Sequence, residues 1–223
     1  MLKMDFHIHS QYSDDAIGSP KEILKQVRKK GLQGMAITDH NTIKGGLIGQ
    51  KLSTDSFLII PGMEISTKDG HLIALNMTKS VPKNLSLQET IDMIKNEGGT
   101  PIIPHIYRTM SGVKEEKLIE VQHNIKALEV YNGCSQPKTN LRTANLAKKY
   151  NLGGTGGSDS HDPRYAGLAY TLIDTTDLSI DTIMTEIEKK RTWGKGQTLP
   201  LSYRRDRMVN SLKQFFKRGF KRI

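Results

Sequence analysis

Short apolar segments alternate along this chain with longer amphipathic ones, which is the pattern of strands followed by helices. The predicted strands cover residues 3–9, 35–38, 58–60, 72–77, 102–103, 127–131 and 153–157. The predicted helices run from 20 to about 30, from 86 to about 96, from about 138 to 150 and from 181 to 190. Such alternation favours a mostly parallel sheet with crossover helices, either an α/β barrel or an open α/β sheet.

Local signals mark the ends of two of these helices. Ser19 is the predicted N-cap of the first helix, Pro20 its first residue and Gly31 its stop. Ser86 and Glu89 have the spacing of a capping box at the start of the second helix. These boundaries support the division into strands and helices.

The composition is that of a globular chain, with 36% hydrophobic and 25% charged residues in 223. No segment approaches the roughly 18 apolar residues that a membrane-spanning helix needs. The first residues lack the apolar core of a signal peptide, so we expect a cytoplasmic protein. A single cysteine, Cys134, excludes an internal disulfide.

The positive charge is concentrated at the C-terminal end. Residues 189–223 hold twelve Lys and Arg against one acid, Asp206, a net charge of +11, whereas the whole chain carries +10. Residues 1–188 are therefore close to neutral. We expect an α/β domain over residues 1–193 and a basic tail over 194–223.

The tail itself has a helical pattern. Over residues 204–223 the apolar residues recur at helical spacing between cations, which predicts a short basic C-terminal helix. These apolar residues are Met208, Leu212, Phe215, Phe216 and Phe220. Either the helix docks this stripe on the barrel, or it contacts anionic lipid or nucleic-acid phosphate.

Six of the seven histidines lie at the end of a predicted strand or in the loop after it. They are His7, His9, His40, His71, His105 and His161, and Glu64 and Asp159 occupy similar positions. Taken singly, each is more often a packing residue than a ligand. Because the carboxyl ends of parallel strands share one rim, the set is expected to converge in space.

This mixture of imidazoles and carboxylates favours Zn, Mn or Fe(II) over a dedicated Mg or Ca site. Eight or nine ligands are too many for one tetrahedral ion, so two or three divalent transition metals are implied. Such a cluster can ionise a water molecule and stabilise the leaving oxygen of a phosphoryl group. The pattern therefore indicates hydrolytic chemistry.

Six ordered motifs over residues 3–170 resemble the PHP (polymerase and histidinol phosphatase) superfamily. They are HIHSQYSDD, AITDHNT, GMEIS, GHLIAL, IIPHIYR and GGSDSH. The resemblance implies a distorted (β/α)7 TIM-like barrel, the PHP fold, and a metal-dependent phosphoesterase activity.

The resemblance also implies which residues hold metal. One ion would take His7, His9, Glu64 and Asp159, a second would share Glu64 and add His71 and His105, and a third would use His40, His161 and a loop aspartate. For that aspartate, the spacing to Pro20 favours Asp15 and the count from His9 favours Asp14; we assign Asp15. Asp5 and Asp39 lie next to ligand positions and are expected to orient the imidazoles.

The implied mechanism is attack of a metal-activated hydroxide on the phosphorus atom. His7, His9, Glu64 and Asp159 are the predicted catalytic residues, with Arg108 as a phosphate clamp. Arg108, Asn132 and Arg142 are the predicted substrate-binding residues. The alternative for each arginine is an ordinary surface cation, and for Asn132 a loop cap.

The predicted substrate is a phosphomonoester or a terminal phosphodiester: a nucleotide, an oligonucleotide end or a small phosphate ester. The basic tail favours nucleotides or nucleic acid, because polyphosphate backbones attract scattered cations. Two alternatives remain. One is a multi-metal hydrolase of a C–N bond, and the other is a non-catalytic metal- or RNA-binding module.

Overall fold

The computed structural model describes residues 1–217 and 219, and within these residues a single sheet curves into a nearly closed barrel surrounded by helices. Its nine strands are β1 (Leu2–Ile8), β2 (Gly34–Ile37), β3 (Leu58–Thr67), β4 (Gly70–Leu75), β5 (Thr100–Ile103), β6 (Ala127–Asn132), β7 (Gly153–Gly157), β8 (Ala169–Ile173) and β9 (Thr192–Gly196). Its seven α-helices are α1 (Pro20–Lys29), α2 (Lys44–Gln50), α3 (Leu87–Asn96), α4 (Glu115–Val121), α5 (Pro137–Lys149), α6 (Ile180–Glu188) and α7 (Leu201–Lys217).

The strand order is β7-β6-β5-β4-β3-β2-β1-β8-β9. Strands β1 to β3 are parallel, as are β5 to β7, whereas β4 is antiparallel to both its neighbours. The barrel closes where the His9 N–H donates to the Ser160 carbonyl (2.9 Å) and the Asp159 N–H to the His7 carbonyl (2.8 Å). The predicted distorted barrel is therefore confirmed, with an antiparallel hairpin, β8–β9, added beside β1.

Strand β3 is longer than predicted because it continues through Pro61. It pairs with β2 as far as Pro61 and with β4 from Gly62 onward. Proline has no N–H to donate, and it lies where the strand changes partners, so no hydrogen bond of the ladder is lost there. A residue that the sequence pattern places outside the strand thus joins its two halves.

The predicted helix starts are confirmed, and two helices, α2 and α4, were missed. Ser86 accepts from the Glu89 N–H, Glu89 accepts from the Ser86 N–H, and Ser19 forms the same box with Glu22. Helix α2, with the sequence KGGLIGQ, escaped prediction because glycine disfavours helices. Its Gly46 lies against the backbone of Pro61 and Gly62, so close packing decides the conformation.

Three groups of buried apolar side chains hold the helices against the sheet. The largest packs α3, α4 and α5 against β3 to β6. A second joins Ile183 and Ile187 of α6 to Met4 and Phe6 of β1, and a third packs α1 against β1 to β3. The barrel is therefore covered by helices on several sides, which leaves the strand ends as the place for a site.

The predicted C-terminal helix forms, and it begins at Leu201, three residues earlier than expected. Met208, Leu212 and Phe216 of its predicted apolar stripe are 60%, 41% and 59% exposed, which disfavours the alternative in which this stripe docks on the barrel. Polar side chains of α7 contact the barrel instead. Phe220 and the side chain of Phe215 lie outside the described residues. Among the described helices, none is both long and apolar enough to cross a membrane.

Gly157 lies at the barrel closure, where a methyl group has no room. A Cβ on this residue would lie 2.2 Å from the His7 Cβ and 2.7 Å from the His7 backbone nitrogen. We expect Gly157→Ala to lower the free energy of unfolding by roughly 3 kcal/mol, measured by chemical denaturation in the presence of a chelator. Gly31→Ala is the control: Gly31 has φ +76°, and a Cβ there would have no heavy atom within 4 Å. This substitution should lower the free energy of unfolding by about 1 kcal/mol. Equal losses would show that the closure has room to adjust.

Candidate metal centre

The nine predicted ligand side chains converge at one end of the barrel, where β1, β2, β5 and β7 end. They are His7 on β1, His9 and Asp15 after it, His40 after β2, Glu64 on β3, His71 on β4, His105 after β5, and Asp159 and His161 after β7. Each of them is buried or half-buried. The shared rim expected from the strand directions is therefore what the fold provides.

Glu64 lies at the middle of this cluster. Its Oε1 is 2.8 Å from His71 Nδ1 and 2.8 Å from His105 Nε2. Its Oε2 is 3.3 Å from the Nε2 atoms of both His7 and His9 and 3.2 Å from His40 Nδ1. One carboxylate thus touches five imidazoles that come from four separate stretches of chain.

The surroundings keep Glu64 ionised. Burial alone raises the pKa of a carboxyl group, but the charges of His71, His40 and His7 outweigh it and hold the Glu64 pKa well below its usual range. A buried negative charge with two oxygens turned toward imidazole nitrogens is suited to bridging cations.

Two further carboxylates face the same space from opposite sides. Asp159 Oδ1 is 3.6 Å from His9 Nε2 and 3.8 Å from His7 Nε2. Asp15 Oδ2 is 3.2 Å from His161 Nε2 and 3.7 Å from His40 Nε2. Asp15, which the spacing to Pro20 favoured over Asp14, therefore lies next to His161 and His40, the two histidines of the predicted third metal site.

Glu129, which sequence analysis missed, lies directly behind two of these histidines. Its Oε1 accepts from His7 Nδ1 (2.9 Å), which turns His7 Nε2 toward the cluster. Its Oε2 accepts from the His105 backbone N–H (3.0 Å). The available signal was a single acid inside the apolar strand ALEVYN, since a buried carboxylate requires a partner.

Asp39 acts on His9 through a hydroxyl group. Ser13 Oγ donates to Asp39 Oδ1 (3.2 Å) and lies 3.3 Å from His9 Nδ1, whose proton it can accept. Asp5 contacts backbone instead: its Oδ1 accepts from the Ser158 N–H (2.9 Å) and its Oδ2 from the Gly167 N–H (2.7 Å). For Asp5 the prediction of an imidazole partner is therefore wrong, because backbone N–H groups occupy both of its oxygens.

The backbone at two of these positions is held in the left-handed region. His105 has φ +27° and Asp159 has φ +53°, values that non-glycine residues rarely adopt. Such conformations persist only where surrounding contacts enforce them, and they are typical of functional sites. Burial and the nearby charge of Arg108 also lower the His105 pKa to about 4, which keeps this imidazole neutral, as a metal ligand must be.

The donor set fits divalent transition metals. Four overlapping groups of three residues each place their ligand atoms within 4.8 Å of one another: His9, His40 and His161; His7, His105 and Asp159; His7, His9 and Glu64; and His40, Glu64 and His71. Several buried atoms in the cluster make no hydrogen bond, among them Asp15 Oδ1, Asp159 Oδ1 and His161 Nε2. Unpartnered buried donors and acceptors are costly, and bound cations would satisfy them.

Two of the predicted substrate-binding residues, Arg108 and Asn132, contact each other beside Asp159, with an Arg108 Nη2 N–H donating to Asn132 Oδ1 (3.3 Å). Arg108 donates to Asp159 Oδ2 (2.5 Å) and is 29% exposed, at the edge of the cluster. Asn132 is buried, and its Oδ1 accepts from the backbone N–H groups of Cys134 and Ser135, which is a loop cap. Arg142 stacks over the Tyr107 ring, with Cζ 3.7 Å from the ring centroid.

A second arginine reaches the cluster from α7. Arg207 Nη1 is 3.3 Å from Asp15 Oδ2, although the two residues are 192 positions apart in sequence. No local pattern distinguishes Arg207 from the other cations of the tail, so sequence analysis did not single it out.

Comparison with known families accounts for this arrangement. The PHP domain family matches residues 5–140, and the PHP-associated family matches residues 137–192. This chain belongs to the PHP domain family. The motifs that supply His7, His9 and Glu64 fall within the first match.

Two relatives of this PHP-domain protein match in sequence. An uncharacterized protein of Methanocaldococcus jannaschii, MJ1587, is 37% identical over 142 residues, which is 59% of this chain and 82% of that protein. A 5'-3' exoribonuclease of Haemophilus influenzae is 30% identical over 108 residues, 45% of this chain and 38% of that enzyme.

A solved structure shows the same fold. It is a two-domain protein from Bacteroides vulgatus that contains a predicted PHP-like metal-dependent phosphoesterase. Its TM-score is 0.73 at 20% identity, and the match covers 88% of this chain and 65% of that one. This PHP-domain protein thus spans less than two thirds of that chain.

Glu129→Gln tests whether Glu129 supports the metal centre. Loss of its charge weakens the contact with His7 Nδ1, so we expect metal affinity to fall about 10- to 100-fold. Calorimetric titration with Zn or Mn measures the change, and Glu116→Gln, at an exposed position, is the matched control. Unchanged affinity in Glu129→Gln would contradict this role.

Proposed function

We propose that this protein is a metal-dependent phosphoesterase that hydrolyses a phosphomonoester or a terminal phosphodiester. The observation that carries the proposal is the cluster around Glu64, where three carboxylates and six imidazoles meet beside an arginine. In this proposal His7, His9, Glu64, Asp159, His71, His105, His40, His161 and Asp15 hold two or three divalent transition metals, either Zn, Mn or Fe. Bound there, the metals supply Lewis-acid activation of water and neutralise charge on the phosphoryl oxygens.

The residues behind the ligands hold the imidazoles in one orientation. Glu129 keeps the proton of His7 on Nδ1, and Ser13 with Asp39 does the same for His9. Their Nε2 atoms then face the cluster, where they would hold metal. This preorganisation means that little rearrangement accompanies the reaction.

Arg108 is the proposed phosphate clamp. Burial disfavours the charged guanidinium, but Asp159 beside it outweighs that effect and raises the Arg108 pKa, so the cation is permanent. Its planar N–H groups suit two oxygens of a phosphoryl group, where negative charge increases in the transition state. Asn132 contributes by holding Asp159 and the loop after β6, since its Nδ2 donates to Asp159 Oδ2 (3.1 Å).

A nucleotide or an oligonucleotide end is the substrate class we favour. The relative from Haemophilus influenzae is a 5'-3' exoribonuclease, a name that places its action at the ends of RNA. Exposed cations of the basic tail, such as Lys195 and Lys213, would attract the phosphates of a longer substrate. A small phosphate ester would make no use of them.

Asp159→Ala tests the hydrolytic proposal. We expect wild-type protein purified without chelator to hold two or three metal ions per chain and to release phosphate from a generic phosphomonoester. Asp159→Ala should reduce the rate at least about a hundredfold, because it removes a carboxylate from the cluster and the partner of Arg108. Elemental analysis and a phosphate-release assay measure both properties, with Asp92→Ala on the exposed face of α3 as the control. Fewer than one metal per chain, with no release after Mn or Zn is added, would exclude the proposal.

Arg108→Ala and Arg142→Ala separate the two candidate substrate residues. Removing Arg108 should lower kcat/KM about 10- to 100-fold, the effect of losing a hydrogen bond to a charged group. Removing Arg142 should change it less than about fivefold, because an exposed cation–π contact is weak. Steady-state kinetics on the same phosphomonoester compare the two variants. The reverse order would assign the clamp to Arg142.

A further inference from the structure

The cluster receives an arginine from outside the barrel. Arg207 of α7 places Nη1 3.3 Å from Asp15 Oδ2 and Nη2 3.7 Å from Asp159 Oδ1. Its side chain is only 17% exposed. Arginine is rarely buried to this extent without a charged partner, so its position depends on the carboxylates of the cluster.

Two neighbouring residues of α7 anchor Arg207 in this position. Tyr203, one helical turn before it, accepts from the His161 N–H (2.9 Å) and packs its ring against Tyr165, with centroids 4.2 Å apart. Arg204 donates to the Ser135 carbonyl (3.4 Å) in the loop after β6. All three side chains therefore contact loops that carry or support the cluster.

Among the described side chains of α7, Met208 is 60% exposed and Leu212 41% exposed, whereas a helix that only stabilises a barrel buries such residues. Tyr203, Arg204 and Arg207 of the same helix instead contact the loops around the cluster. A helix placed in this way is suited to a role in the chemistry of the site.

Asp159 lies between two arginines. Arg108 contacts its Oδ2, and Arg207 approaches its Oδ1. When Asp159 and Asp15 coordinate metal, some of their charge is engaged there, and the two guanidinium groups retain N–H donors on either side. Two guanidinium groups on either side of the cluster would together attract an anion, and the oxygens of a phosphate can accept hydrogen bonds from both.

We propose that Arg207 is a second phosphate-binding residue of the site, which α7 positions opposite Arg108. This inference rests on the proposed function, because it names a further residue for the same substrate phosphate. It makes α7 a component of the substrate site, and it gives the basic tail a use that does not depend on contact with a membrane or a long nucleic acid.

Inorganic phosphate is the probe. The full-length, metal-loaded protein is titrated with phosphate by calorimetry, and the metal content of each variant is measured beside it. Arg207→Ala should raise the Kd for phosphate about 10- to 100-fold with unchanged metal content, because a charged hydrogen-bond donor is lost. Arg207→Lys should give an intermediate Kd, since lysine keeps the charge without the planar pair of donors.

Arg205→Ala is the matched control. Arg205 lies on the same helix, is exposed and pairs with Asp206 at 3.2 Å, so its loss should leave the Kd unchanged. If phosphate binding in Arg207→Ala and Arg207→Lys equals that of wild type, the inference is wrong. Tighter binding in Arg207→Ala would overturn it as well, because Arg207 would then block the site. Loss of metal from Arg207→Ala would overturn it too, by assigning Arg207 to support of the metal centre instead.

The outcome is separable from that of the proposed function. If the wild-type protein hydrolyses phosphomonoesters and Arg207→Ala binds phosphate normally, only the role of Arg207 fails. If the metal-loaded wild type binds phosphate through Arg207 and hydrolyses no ester, the proposed reaction fails and this assignment stands.

Discussion

Glu64 carries a negative charge in the buried mouth of the barrel, and that charge has to be balanced by groups around it. An unpaired carboxylate in such a place costs several kcal/mol. Five imidazoles lie within 3.3 Å of the Glu64 oxygens, some as charged partners and others, such as His105, as neutral hydrogen-bond partners. They reach Glu64 from β1, β4 and the loops after β1, β2 and β5. These imidazoles reach Glu64 only if the strands pair in the observed order and register. The strand order of the barrel and the charge balance of the site therefore depend on each other.

The supporting residues make this centre specific. A histidine has two ring nitrogens, and the partner of one decides what the other can do. Glu129 fixes this choice for His7, and the chain from Asp39 through Ser13 fixes it for His9. Close approach of β7 to β1 is equally necessary, since the glycines of GGTGG leave room for His7 beside Gly157.

Helix α7 depends on the site in a different way. Helices α1 and α3 to α6 bury apolar side chains against the sheet, whereas α2 buries three glycines. Helix α7 instead places Tyr203, Arg204 and Arg207 on the loops of the cluster and leaves Met208 and Leu212 exposed. Its position therefore depends in part on the carboxylates of the site that Arg207 contacts.

The resemblance of this chain's motifs to the PHP superfamily indicated a barrel rather than an open sheet. The sequence pattern alone determined the α/β class and the rim on which the histidines meet. Both follow from local information: alternating apolar segments locate the strands, and parallel strands bring their carboxyl ends together whatever the details of packing. The capping boxes at Ser19 and Ser86 are local in the same sense. The tertiary structure was needed to decide that β3 continues through Pro61 and that the glycine-rich α2 is helical. It also decided that Glu129 lies behind His7, and that Arg207 contacts Asp15, which is 192 residues away in sequence. Each of these four features depends on contacts between segments that are distant in sequence. A local sequence pattern indicates whether a side chain is buried or exposed, but it does not show which distant residue the side chain will contact.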